Sequence, residues 1–219
     1  KYVAGKYTPL DNLLNPFWLW LVELLPRWLA PNLVTFSGFL PMVACYMLLW
    51  WISSDLATPV PRSVAFFAAS SLWFYQTMDA LDGKQARRTK SSSPLGQLFD
   101  HGCDCLACLS HHSMAASIFL PGGTKWTLAG QTALQTFFFL GQWQEYYTGV
   151  LSTSYGPVGV TETQYALIAG TAFSGIMGPE WMRTTMTTKV NVGFLGVVSV
   201  GVLCIQGWIV FCSIMSGIT

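Results

Sequence analysis

From Val34 to Ile52 the chain runs without a single charged side chain, close to the ~20 apolar residues needed to cross the ~30 Å hydrocarbon core of a bilayer. Five more mostly apolar stretches follow, at roughly Ser63–Met78, Leu95–Leu120, Thr127–Val150, Gln164–Met177 and Val190–Met215. Gln164–Met177 is short and contains glycine, so its ends are the least sharply marked. Only 10% of the 219 residues are charged and 52% are hydrophobic, whereas a soluble domain carries about 25% charged residues. The expectation is an all-α, polytopic membrane protein with six transmembrane helices.

Residues 10 to 29, LDNLLNPFWLWLVELLPRWL, are rich in Leu and Trp but broken by Asp11, Asn12, Pro16, Glu23 and Pro26. Such a segment suits an amphipathic helix lying in the interface rather than spanning it. The chain therefore divides into an N-terminal interfacial segment, 1–33, and a membrane core, 34–219. No cleavable signal peptide is expected, because Lys1 to Asn15 is polar and contains proline. Basic residues are retained on the cytoplasmic side. With a cytoplasmic N-terminus, Lys1, Lys6, Arg27, Lys84, Arg87, Arg88 and Lys90 lie inside, and only Arg62, Lys125, Arg183 and Lys189 outside. That orientation is the favoured one.

A formal net charge of +1 gives no field of the kind that recruits nucleic acid, so none is expected as a partner. Cys45, Cys103, Cys105, Cys108, Cys204 and Cys212 sit in or beside apolar stretches, without the loop spacing of a disulfide scaffold. Cys103, Cys105 and Cys108 on one continuous helix point in divergent directions, unlike the loop-borne ligands of structural zinc. His111 and His112 read as core or interface residues. Lys84, Arg88 and Lys90 read first as topology signals meeting anionic headgroups, and Glu145 and Glu180 as headgroup-facing.

Function therefore has to come from local chemistry. Ten acidic residues are present, and four of them, Asp79, Asp82, Asp100 and Asp104, fall between positions 79 and 104. On helices, Asp79 with Asp82 and Asp100 with Asp104 each project from one face. Two helices joined by a short loop then bring four carboxylates together. Two such charges ~4 Å apart repel by about 4 kcal/mol at an effective dielectric near 20, so a cation is needed to offset them. Hard oxygen ligands suit Mg²⁺, Mn²⁺ or Ca²⁺, and a pair of such ions is a recurring clamp for phosphoryl displacement. Gly83, Ala86 and Gly96 let a ligand approach the backbone. Arg87 offers a planar donor fork for phosphate oxygens.

The stretch DALDGKQARRTKSSSPLGQLFDHGCD fits D-x2-D-G-x2-A-R-x8-G-x3-D-x3-D at Asp79, Asp82, Gly83, Ala86, Arg87, Gly96, Asp100 and Asp104. This pattern resembles the signature of the CDP-alcohol phosphotransferase family. The filler residues GKQARR, SSSPLG and LFDHGCD, with WLAPNLVT at 28 to 35, are similar to those of eukaryotic choline/ethanolamine phosphotransferases. The likeness runs from about Tyr7 to Glu162 and fades afterwards.

The resemblance implies an enzyme whose four aspartates bind two divalent ions, Mg²⁺ or Mn²⁺, that hold the pyrophosphate of CDP-choline or CDP-ethanolamine. The acceptor it implies is the hydroxyl of diacylglycerol, with CMP and phosphatidylcholine or phosphatidylethanolamine as products. Asp104 is the family's usual proton acceptor. His101 is the competing base in this group, with Glu162 as its carboxylate partner. A neutral imidazole matches the task near pH 7, whereas a metal-bound carboxylate has its proton affinity lowered. Asn32 resembles the family position that contacts the nucleotide. Gln144 and Tyr146, at the end of the fourth span, are candidates to line the pocket of the donor alcohol, with Trp143 and Tyr147 as further aromatic faces for a cation. Relatives in this group are longer, so further C-terminal helices, a homodimer and an endoplasmic reticulum or Golgi membrane, with the site facing the cytoplasm, are implied as well.

Two other enzyme or carrier readings share parts of the pattern. A CDP-diacylglycerol-dependent phosphatidyltransferase, such as one making phosphatidylinositol, uses the same eight residues but needs more basic residues for an acceptor phosphate. A cation transporter spreads its intramembrane acids over several broken helices, whereas here they cluster on two. A purely structural membrane scaffold needs no buried acids.

Overall fold

The computed structural model describes residues 3–4, 7–118, 122–151, 154–155, 158–189, 211–212 and 215. Seven helices account for most of them: α1 (Pro9–Leu24), α2 (Pro31–Ile52), α3 (Arg62–Thr89), α4 (Pro94–Ile118), α5 (Lys125–Thr148), α6 (Val160–Met177) and α7 (Pro179–Lys189). Four two-residue strands complete the set: β1 (Val3–Ala4), β2 (Val150–Leu151), β3 (Ser154–Tyr155) and β4 (Val158–Gly159). β1 pairs in parallel with β2, and β3 with β4 antiparallel. The sixth expected span, Val190–Met215, falls outside the described residues apart from 211, 212 and 215.

The helix boundaries have local causes. At α1, Thr8 accepts from the Asp11 N–H at 3.1 Å while the Asp11 carboxylate accepts from the Thr8 N–H at 3.0 Å, a reciprocal cap with Pro9 as the first helical residue. α2 also starts on a proline, Pro31. α5 stops at Gly149, whose φ of 70° is the left-handed conformation that glycine adopts without a Cβ penalty. α3 continues 11 residues past the expected end of its span at Met78, because nothing from Asp79 to Thr89 breaks a helix. The two first aspartates therefore ride on the same rigid element as the second span. α7 lies in a stretch that the sequence reading leaves as a connection.

Helices α2 to α6 alternate in direction, so the starts of α2, α4 and α6 meet the ends of α3 and α5 at one end of the bundle. α3 packs between α2 and α6, and α4 against α2 and α5. The core joins Met42, Cys45 and Leu49 of α2 to Ala65, Ala68, Leu72 and Tyr75 of α3 and to Ala107, Met114 and Ile118 of α4. In hydrocarbon, lipid tails are as apolar as leucine, so helices associate through close backbone approach and dispersion. The alanine row of α3 and Gly38 of α2 serve that purpose. A Cβ built at Gly38 would stand 2.6 Å from the Cβ of Met78.

At the far end the loops are tied by capping contacts. Gly123 N–H donates to the Asp55 carbonyl at 3.1 Å, Arg62 donates to the Met177 carbonyl at 3.3 Å, and Arg183 donates to the Ala57 carbonyl. A second apolar cluster, Trp18, Val22, Val34 and Leu81, docks α1 on the opposite end, beside the aspartates. By length and hydropathy alone, one described helix, Pro31–Ile52, is long and apolar enough to cross a membrane.

Candidate active site

Asp79 and Asp82 project from α3 and Asp100 and Asp104 from α4. One carboxylate oxygen from each of Asp79, Asp82 and Asp100 lies within 4.8 Å of the other two. Asp104, one turn further along α4, accepts a hydrogen bond from Tyr75 at 2.6 Å. Asp82 accepts one from the Thr35 hydroxyl on α2. These are neutral donors, and they orient the carboxylates without cancelling their charge. At ~5 Å and an effective dielectric near 20, each pair of charges repels by about 3 kcal/mol.

The geometry fits a divalent ion. Metal–oxygen bonds of ~2.1–2.4 Å let one ion span oxygens up to ~4.8 Å apart, and an all-carboxylate donor set suits Mg²⁺, Mn²⁺ or Ca²⁺. Asp100 Oδ1 is buried and has no hydrogen-bond partner, which a ligand bond would satisfy.

A cavity of about 830 Å³ opens over the carboxylates. Its wall contains all four aspartates together with Asn32, Thr35, Gly83, Ala86, Arg87, Gly96 and His101. The first turns of α2 and α4 reach it through Pro31, Asn32, Pro94 and Gly96. The positive dipole ends of these helices favour an anion, while Pro31 and Pro94 lack an N–H and the Gly96 N–H is held by Ser93 Oγ at 3.0 Å. A Cβ at Gly83 would come within 3.5 Å of Arg87 Nη1, and one at Gly96 within 3.5 Å of Asn32 Oδ1. Both glycines thus leave room beside polar side chains of the cavity wall. A cavity lined by carboxylates, Arg87 and two helix starts has the chemistry to take a phosphoanhydride together with its cations.

Three candidates from the sequence are not brought to this wall. Gln144 and Tyr146 flank Glu145, and successive helical residues point ~100° apart. Glu145 is the one turned toward α4, accepting from Gln97 Nε2 at 2.6 Å, and Tyr146 is 82% exposed. Glu145 is accordingly half-buried rather than headgroup-facing. Glu162 caps its own helix, accepting from the Gly159 N–H at 2.8 Å, and meets the Thr8 side chain. Those bonds hold its carboxyl below the usual range. It does not line the cavity with His101.

Other residues enter that the sequence reading passed over. Tyr75 lies four residues before Asp79, a spacing that places both on one helical face. Thr35 lies one turn after Asn32 for the same reason. Gln97, three residues before Asp100 on α4, lines the cavity for the same reason, whereas Tyr7 and Leu151 reach it through tertiary contacts with no local signal. His111 is buried with its ring 5.8 Å from that of Tyr75, and His112 meets the Thr127 carbonyl at 2.8 Å. Both are packing residues, as expected. The described cysteines are unpaired with one another, and Cys105 donates to Gln135.

The profile of the family described as CDP-alcohol phosphatidyltransferase matches residues 28–219. The chain belongs to that family. Among relatives of this CDP-alcohol phosphatidyltransferase chain, choline/ethanolaminephosphotransferase 2 of Arabidopsis thaliana is 39% identical over 184 residues, covering 80% of this chain and 46% of the relative. Cholinephosphotransferase 1 of Gallus gallus is 37% identical over 93% of this chain and 60% of its own length, and that of Rattus norvegicus 35% identical over 97% and 52%. The chain spans about half the length of these curated relatives. The matched residues include the aspartate cluster and every cavity-lining residue except Tyr7.

Proposed function

We propose that the chain carries the catalytic centre for transfer of phosphocholine or phosphoethanolamine from CDP-choline or CDP-ethanolamine to the hydroxyl of diacylglycerol, with release of CMP. The observation that carries this reading is the convergence of Asp79, Asp82, Asp100 and Asp104 on one cavity that Arg87 and Asn32 also line. The names of the similar proteins, choline/ethanolaminephosphotransferase and cholinephosphotransferase, support the donor class.

In this reading Asp79, Asp82, Asp100 and Asp104 would hold two ions, Mg²⁺ or Mn²⁺. Bound there, such ions neutralise charge on the pyrophosphate and polarise the transferring phosphorus. Arg87 binds phosphate oxygens through its donor fork, and Asn32 orients the nucleotide from the start of α2. Thr35 and Tyr75 hold Asp82 and Asp104 in position. His101 lines the same cavity and takes the proton of the acceptor hydroxyl, in preference to Asp104, whose Oδ1 is already engaged by Tyr75. Gln144, Tyr146 and Glu162 stand outside the cavity wall, so the reading gives them no contact with the donor in this conformation.

The membrane arrangement belongs to the proposal too. Six spans over 34–219 with an interfacial segment at 1–33, a cytoplasm-facing site, an endoplasmic reticulum or Golgi membrane and a homodimer rest on the resemblance and on the distribution of basic residues.

The test is product identification. Protein in lipid nanodiscs is given diacylglycerol, Mg²⁺ and either CDP-choline or CDP-ethanolamine, and CMP and the lipid headgroup are measured. Metal-dependent CMP release with the matching phospholipid supports the proposal. Release only from CDP-diacylglycerol with a water-soluble alcohol would replace it by the phosphatidyltransferase reading.

A further inference from the structure

A second, smaller cavity of about 360 Å³ lies between α1 and the last turns of α3, within the ~300–1,000 Å³ of ordinary ligand sites. Its wall joins two kinds of surface. Leu19 and Val22 of α1 are apolar, whereas Lys84, Arg87 and Arg88 of α3 are cationic. Glu23, the acid in this wall, is committed to Arg88 at 3.0 Å. Lys84 and Arg87 make no ion pair among the described residues. Lys84 is steadied by the Ala80 carbonyl at 3.2 Å and by the Trp18 ring, 5.1 Å from its ammonium. Three residues apart on one helix, Lys84 and Arg87 share a face and repel each other. The neighbouring acids of α3, Asp79 and Asp82, line the other cavity.

We propose that this groove binds the phosphate of an anionic phospholipid, held by Lys84, with its glycerol and upper acyl carbons along the exposed Leu19. Juxtaposed cations and apolar side chains match an amphiphile better than free phosphate, which leaves the apolar wall wet. The surroundings agree with a lipid source: Leu13, Trp20 and Leu24 on the same helix are exposed, the arrangement of an interfacial helix. The groove adjoins the carboxylate cavity, with Tyr7 and Arg87 lining both, and lipid retention is read without turnover.

The experiment is native mass spectrometry of the purified chain with dioleoyl phosphatidic acid and dioleoyl phosphatidylcholine. Wild type should retain phosphatidic acid in preference to phosphatidylcholine. Lys84→Gln should weaken that retention about five-fold, the equivalent of the ~1 kcal/mol that one basic residue contributes at an anionic surface. Lys84→Arg should restore it, and Lys90→Gln, an exposed residue outside the groove, should leave it unchanged. Equal retention in wild type and Lys84→Gln would overturn the site. So would an equal loss in Lys90→Gln, which marks diffuse attraction, or displacement of the lipid by inorganic phosphate as readily as by phosphatidic acid.

Discussion

Tyr75, only 1% exposed, donates its hydroxyl to Asp104 Oδ1 at 2.6 Å across the α3–α4 interface. The ring is wedged between Phe39, 6.4 Å away between centroids, and His111. A rigid buried phenol therefore fixes the rotamer of a carboxylate in the candidate site. Packing and chemistry meet at that bond.

Tyr75→Phe keeps the ring contacts and removes only the hydroxyl. A hydrogen bond to a charged group contributes about 1.5–3 kcal/mol, and each ~1.4 kcal/mol lost from the transition state is ten-fold in rate. Turnover in the CMP-release assay should fall about ten-fold or more, with a drop in melting temperature of a few degrees and the fold retained by circular dichroism. Unchanged turnover would mean that Asp104 needs no such positioning.

Gly38 of α2 packs directly on Met78 of α3, one residue before Asp79. Gly38→Ala forces a backbone shift there, and overpacking of this kind costs about 1–3 kcal/mol. Melting temperature and turnover should both drop. Gly102→Ala, where a Cβ meets nothing within 4 Å, should leave melting unaffected and serves as the matched control.

Arg88 donates to the Val22 and Leu25 carbonyls at 2.8 and 2.7 Å and pairs with Glu23. It therefore satisfies the free carbonyls at the end of α1 while complementing its dipole. Arg88→Ala should raise hydrogen exchange over Pro9–Leu24 and cost about 1–3 kcal/mol of local stability. Exchange rates equal to wild type would show that the apolar cluster alone docks α1.

The backbone N–H groups of Thr58 and Ala57, with the Thr58 and Ser53 hydroxyls, hold the Asp55 carboxyl at about 2, down from an ordinary 3.8. A depressed folded value means that the stabilisation is complete above the unfolded value and is lost as pH falls through the folded one. Asp55→Ala should therefore lower the melting temperature at neutral pH, with the gap from wild type closing between pH ~4 and ~2. A gap that stays constant over that window would contradict the assignment.

The four aspartates, Gly83, Arg87 and Gly96 were legible because helical periodicity alone decides which residues share a face, and the loop between α3 and α4 is short. The bounds of α2, α4, α5 and α6 lie within four residues of the apolar stretches from which they were read. Glu162, Gln144 and Tyr146 were not settled by that logic. Their direction depends on how the ends of α5 and α6 meet the N-terminal segment, where Thr161 donates to Asp11 and β1 pairs with β2. Arg88 and Gln85 show the same limit. A basic cluster reads as a topology signal, yet Arg88 caps α1 and Gln85 bonds the carbonyls of Pro26 and Leu29. Contacts between residues some 60 positions apart leave no periodic trace.

The central claim is that the aspartates of α3 and α4 form one divalent-metal centre, and electron paramagnetic resonance of Mn²⁺ binding tests it without requiring turnover. Wild type should bind about two Mn²⁺ per chain, as a two-ion phosphoryl-transfer centre requires. Asp100→Asn, folded by circular dichroism, should lose at least one. Equal Mn²⁺ binding by the two proteins would contradict the account.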